Sequence, residues 1–157
     1  MTNNEVNLKE RLEAFLDQIV DHNIGARHRQ EEREAGDKAF LESFQSLRES
    51  SIGPVMEKAC RPFKDRALPA SVRTTDNANA SSISLILAPE AQRHAHLIYT
   101  TALVERTVRA RWSVSHRNKG EVQLSAGDTP LGEFPLEEVT GDLVQEHIDS
   151  LLSKMIE

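Results

Sequence analysis

Few residues in this chain are of a type and spacing that could do chemistry. The densest group is cationic. Between positions 93 and 119 lie Arg93, Arg106, Arg109, Arg111, Arg117 and Lys119, against one acid, Glu105. From Gly120 onward the balance reverses, and Lys154 alone faces a run of acids that includes Glu121, Glu133, Asp142 and Asp149. Arg109 and Arg111 are two apart in a β-prone stretch, as are Arg111 and Ser113, so the guanidinium groups share a sheet face. Without a bulge, Arg117 joins them. A row of guanidinium groups can grip a phosphate or carboxylate. It can equally be neutralised across the sheet by acids such as Glu121 and Glu133.

Histidines form the second group. His94 and His96 point the same way on a strand, and His116 can approach them from the next one. Three imidazoles can hold zinc with one position open. No acid or cysteine completes a recognised spacing, however, so neither metal nor cofactor is expected. Nucleophilic chemistry lacks its signatures. No serine sits in a glycine-flanked elbow, Cys60 has no convincing histidine partner, and the seven glycines are scattered singly rather than gathered in a phosphate loop. Cys60 reads as a small buried hydrophobe. A non-catalytic role is the expectation.

The third group is apolar. Leu8, Leu12, Phe15 and Ile19 recur in steps of four and three, and Leu16 and Val20 widen the stripe. Lys9, Arg11, Glu13, Asp17 and Asp21 fill the opposite face. This spacing predicts a helix over Val6–Asn23, stopped by Asn23 and Gly25, with Leu8, Leu12, Phe15 and Ile19 as an interface for a second copy or a partner protein. Ala26–Lys38 contains no large apolar residue. It reads as a solvated helix or a linker that holds the first helix away from the rest of the chain. The resulting division is a helical arm with its connector over 1–38 and a core domain over 39–157.

The elements that must position these groups follow from the remaining pattern. Apolar spacing resumes at Phe40, Leu41, Phe44 and Leu47. Pro54 should break this run, giving one helix to about Ser50 and another from about Pro54 until Pro62. Strands are predicted at Ala70–Thr75, Ser82–Leu87, Leu97–Leu103, Thr107–Arg117, Glu121–Ser125 and Leu131–Leu136. Turn chemistry separates them at Asp76–Asn79, Asn118–Gly120 and Gly127–Pro130. Val108, Ala110, Trp112 and Val114 alternate with Arg109, Arg111, Ser113 and Ser115, which puts Trp112 on the core side. Thr140 caps a last helix, with Val139 and Val144 as a hydrophobic staple and Val144, Ile148, Leu151, Leu152 and Met155 as its buried stripe. The fold expected is α+β: N-terminal helices, an antiparallel meander of five to six strands, and a C-terminal helix on one sheet face.

Composition sets outer limits. The chain has 157 residues, 28% charged and 38% hydrophobic, with a net charge of -6. That suits one folded domain and weighs against general nucleic-acid binding, unless the arginine patch is segregated from the acids. One cysteine, no apolar leader and no long apolar run lead to the expectation of a cytoplasmic protein outside the membrane. Three functions are therefore weighed. The first is an interaction module using the N-terminal helix. The second is an anion- or nucleic-acid-binding domain using Arg109, Arg111 and Arg117. The third is a small-ligand pocket between sheet and C-terminal helix, beneath Tyr99 and Trp112 and against Ile148 and Leu152.

Overall fold

The computed structural model describes the backbone of residues 3–115 and 127–156. The chain divides into two compact units, Met1–Ala39 and Phe40–Glu157. In order, it forms helix α1 (Asn3–Leu47), a π-helical turn (Arg48–Ile52), helix α2 (Gly53–Asp65), strands β1 (Ala70–Asp76), β2 (Ser81–Glu90), β3 (Arg93–Ala102), β4 (Thr107–Ser115) and β5 (Gly127–Phe134), a short 3-10 turn (Leu136–Glu138) and helix α3 (Gly141–Ile156). This is the expected α+β architecture. The predicted strand Glu121–Ser125, the turn Asn118–Gly120, Arg117 and His116 lie outside the described residues.

One expectation about the helices needs correction: Asn23 and Gly25 do not stop the first helix, and α1 runs unbroken for 45 residues, with Ala26–Lys38 as the solvated-helix alternative. The interior is rich in strong helix formers (Arg, Glu, Gln, Ala), and side chains four apart support it, as where Gln30 donates to Glu34. A single interior glycine costs only about 1 kcal/mol, too little to end such a run.

Pro54 does stand in the first turn of a second helix, but the join ahead of it is a π-helical turn and not a gap. One extra residue is looped into the spiral ahead of it, so the Gly53 N–H reaches back five residues to the Arg48 carbonyl. The widened turn absorbs the proline, whose missing N–H and bulky ring a regular helix could not accommodate. Glycine is required there, because a Cβ at position 53 would stand 2.8 Å from the Arg48 carbonyl oxygen. Helix α2 then ends in a Schellman motif. Leu68 N–H bonds to Phe63 O and Ala67 N–H to Lys64 O, with Ala67 in the left-handed region at φ 55.

The sheet is a five-stranded meander in sequence order, antiparallel throughout. Three strands reach well beyond the sequence pattern. β3 begins at Arg93, four residues ahead of Leu97. β2 passes Pro89 by way of an irregularity between Leu87 and Glu90. Gly127–Pro130 is not a turn but the first half of β5, paired with Val114, Ser113, Trp112 and Arg111. Among the described residues β5 pairs with β4 alone, so Pro130 has no second neighbour there to deprive of a hydrogen bond. A bulge at Leu131 follows, between the partners of Ala110 and Arg111. It is opened by Gly132 at φ +144, where a Cβ would strike the Phe134 ring at 2.8 Å.

One face of the sheet carries Ile83, Leu85, Leu87, Leu97, Tyr99, Val108 and Val114, all buried. Helix α2 lies against β1 and β2, and α3 against β3 and β4. They contribute Met56 and Cys60, and Val144, Ile148, Leu151 and Met155, to the same core, together with Phe44 and Ile52. Trp112 packs on this cluster, on the side opposite Arg109 and Arg111. The start of α3 is built as its sequence implies. Thr140 Oγ1 accepts from the Leu143 N–H, and Val139 and Val144 are both buried beneath it.

Candidate functional site

The clearest unsatisfied surface is on the first half of α1. No described side chain from Asn4 to Ala39 is buried. Leu8, Leu12, Phe15 and Ile19 are 65%, 52%, 57% and 41% exposed, and Val6, Leu16, Val20 and Ile24 are exposed as well. At about 100° per residue, Phe15, Leu8, Ile19, Leu12, Leu16 and Val20 cover an arc of about 140°. That is wider than the two-position seam of a coiled coil and typical of a helix with a core to face. Isolated exposed apolar residues are ordinary on proteins. A contiguous band along four turns of helix marks an interaction surface.

The arginine row is only partly available. Arg109 lies opposite Glu133 in the register, with Glu133 Oε1 at 3.7 Å and Glu105 Oε2 at 3.4 Å from the guanidinium. Glu133 also accepts from the Thr107 hydroxyl. The positive charge of Arg109 is thus answered on two sides. Arg111 lies between Ile98 and Pro130 and has no ion pair among the described residues. The sheet therefore brings Arg109 and Arg111 to one face, but leaves only the second without a carboxylate beside it.

His94 and His96 both stand within β3, on the face that carries Arg111. The ring of His94 is 2.7 Å from the Ser115 hydroxyl, directly across on β4. Burial lowers the pKa of His96, helped by the nearby charge of Arg111. Among the described residues, no three His, Cys, Asp or Glu side chains converge as a metal site requires. No described helix is long and apolar enough to cross a membrane. Cys60 is fully buried, and burial raises its thiol pKa, away from nucleophilic use.

No protein-family model, curated protein or solved structure matches the chain.

Two functional features were not visible in the sequence. The first is a groove of about 580 Å³ between α2 and α3, lined by Lys58, Ala59, Pro62, Phe63, Gln145, Ile148, Leu152, Met155 and Ile156. It touches Ile148 and Leu152, as the pocket expected beneath the sheet would. But Tyr99 and Ile148 are fully buried in the core, and neither Tyr99 nor Trp112 lines the groove.

The second is a polar pair of a buried Tyr99 and a half-buried His147. The Tyr99 hydroxyl and His147 Nδ1 share a hydrogen bond of 2.6 Å in which either group can donate, according to the tautomer, and their rings stack with centroids 5.8 Å apart. Burial lowers the His147 pKa and raises that of Tyr99, so both groups are held in their uncharged forms. A histidine with a folded-state pKa below its unfolded value binds more protons once unfolded. Its stabilising effect is complete above the unfolded pKa of about 6.5 and is lost as pH falls below it. His96 acts in the same sense. The expected result is a urea midpoint that drops between pH 7.5 and pH 5.0, with a smaller drop for His147→Gln. An identical drop in both proteins would mean that this pair does not set the acid limb.

Proposed function

We propose that the chain is a non-catalytic, cytoplasmic interaction module that self-associates through the apolar stripe of α1. One observation carries this reading: eight large apolar side chains between Val6 and Ile24, each at least 41% exposed. Full burial of such a side chain is worth about 1.5–3 kcal/mol. With about half of that still to be gained, Leu8, Leu12, Phe15 and Ile19 offer roughly 3–6 kcal/mol per helix. Counted on both copies of a symmetric pair, this is comparable with the cost of association, estimated at about 4–15 kcal/mol. The arginine row offers less, since Arg109 already has two carboxylates beside it.

The test is size-exclusion chromatography with light scattering at tens of micromolar. The wild-type chain is expected at twice its monomer mass or more. Leu12→Asp, which places a charge in the middle of the stripe, is expected at the monomer mass with unchanged helical circular dichroism. A wild-type monomer would remove the reading.

A further inference from the structure

We propose that the seat for the α1 stripe is the groove between α2 and α3 of a second copy, so that two chains exchange their N-terminal helices. The inference rests on the self-association reading above and supplies its missing half, the acceptor.

Three observations select this occupant. The first is width. A helix paired with one other helix buries a narrow two-position seam, whereas a helix lying across two buries a broad face. The α1 stripe has the broad face, and its narrow seam is short. Stepping on from Leu8, Leu12, Phe15 and Ile19 by three and four reaches His22, Ala26, Arg29 and Arg33, so a paired α1 coil would run out of apolar contacts after about two heptads.

The second is length. Leu8 to Ile19 rises about 17 Å, and the groove is lined along α3 from Gln145 to Ile156, also about 17 Å, and along α2 from Lys58 to Phe63, about 8 Å.

The third is charge. On the helical wheel Lys9 sits at one edge of the stripe with Glu13 and Asp17 beyond it, and Arg11, Gln18 and His22 flank the other edge. The groove has the opposite arrangement. Lys58 lines its α2 wall, with Arg61 exposed on the same helix. On the α3 wall Gln145 lines the groove and is held by the carboxylate of Asp149. In one orientation Glu13 and Asp17 meet Lys58, and Arg11 meets the Asp149 side, which is how charge fixes register at an interface. Phe63, Leu152 and Ile156 provide the apolar floor and lip, with Ile156 75% exposed. When the exchange is reciprocal, each helix lying in the other copy's groove, it closes as a two-fold dimer.

The experiment uses the full chain and two variants. The helix variant is Leu12→Asp. The groove variant is Lys58→Glu with Ile156→Asp, both at exposed positions, and circular dichroism confirms that it folds. Mass is read by light scattering for each variant alone and for an equimolar mixture. Each alone is expected to dimerise at least about tenfold more weakly than wild type. The mixture is expected to recover dimers, because the intact helix of the groove variant can enter the intact groove of the helix variant. If the groove variant dimerises as wild type while Leu12→Asp does not, the stripe pairs with another stripe; self-association stands and the groove is overturned as its seat. If both variants fail alone and the mixture also fails, the exchange is overturned. If the wild-type chain is monomeric, self-association itself falls.

Discussion

Phe44→Ala is expected to cost about 3–5 kcal/mol of unfolding free energy, read as a lower urea midpoint with little change in slope. Phe44 lies in the last turns of α1 and is fully buried. Its ring contributes to the one core that joins α2, α3 and the sheet, and the Arg48 guanidinium carbon stands 6.0 Å from its centroid. Alanine would leave a cavity beneath a helix that the π-helical turn pins immediately downstream, so collapse around the gap is limited. A loss of this size is a large share of the roughly 5–15 kcal/mol that a domain commonly has. The same helix supplies the control. Leu8→Ala, at a side chain 65% exposed, is expected to change stability by less than about 0.5 kcal/mol when the chain is dilute enough to be monomeric. Equal losses at the two positions would contradict the division of α1 into an uncovered half and a core half.

That division explains which parts of the fold can be read from the residues. Where a segment has one buried face, the period of its apolar residues gives it away. β4 shows this in Val108, Ala110, Trp112 and Val114, and α3 in Val144, Ile148, Leu151 and Met155. Its cap at Thr140 is a contact with Leu143, three residues on, and local contacts leave local signals. Ala26–Lys38 has no buried face and therefore no period. Its helicity comes from propensity and from side chains one turn apart, a signal that does not separate a solvated helix from a linker. β5 fails for a different reason. Gly127, Pro130 and Gly132 are turn residues by type, and only the position next to β4, with a bulge at Leu131, makes them tolerable in a strand.

The candidate site divides the same way. The α1 stripe is legible because it is periodic. The groove is not, because its walls are built from α2 and α3, and Phe63 and Leu152 are about ninety residues apart. Likewise the charge of Arg109 and the acid of Glu133 are visible separately, while their pairing depends on a register that the bulge shifts by one residue.

A second ion pair between residues distant in sequence yields the second large effect. Arg48 is almost wholly buried, its side chain 10% exposed, and it grips Asp76 with both arms of the guanidinium: Nη1 to Oδ1 at 2.9 Å and Nη2 to Oδ2 at 3.0 Å. Nη1 also donates to the Ser82 carbonyl at 3.2 Å. The contact ties the π-helical turn to the end of β1 and the start of β2. Asp76 is far more exposed, at 47%, so the two partners should not be equivalent when removed. Asp76→Ala strands a buried cation with one carbonyl acceptor, and is expected to cost about 2–3 kcal/mol. Arg48→Met keeps most of the apolar stem against Phe44 and releases a carboxylate that water can solvate, so its cost is expected near 1 kcal/mol. The hydrogen bonds from Arg48 lower the Asp76 pKa below its ordinary value. A carboxylate depressed on folding stabilises above its unfolded pKa of about 3.9 and loses that contribution as pH falls through its folded pKa. The gap between wild type and Asp76→Asn, measured by urea unfolding, should therefore be full at pH 6 and narrow steadily below about pH 4. If Arg48→Met proved the costlier of the two substitutions, or if the gap held constant into acid, the contact would be one of stem packing and not of charge.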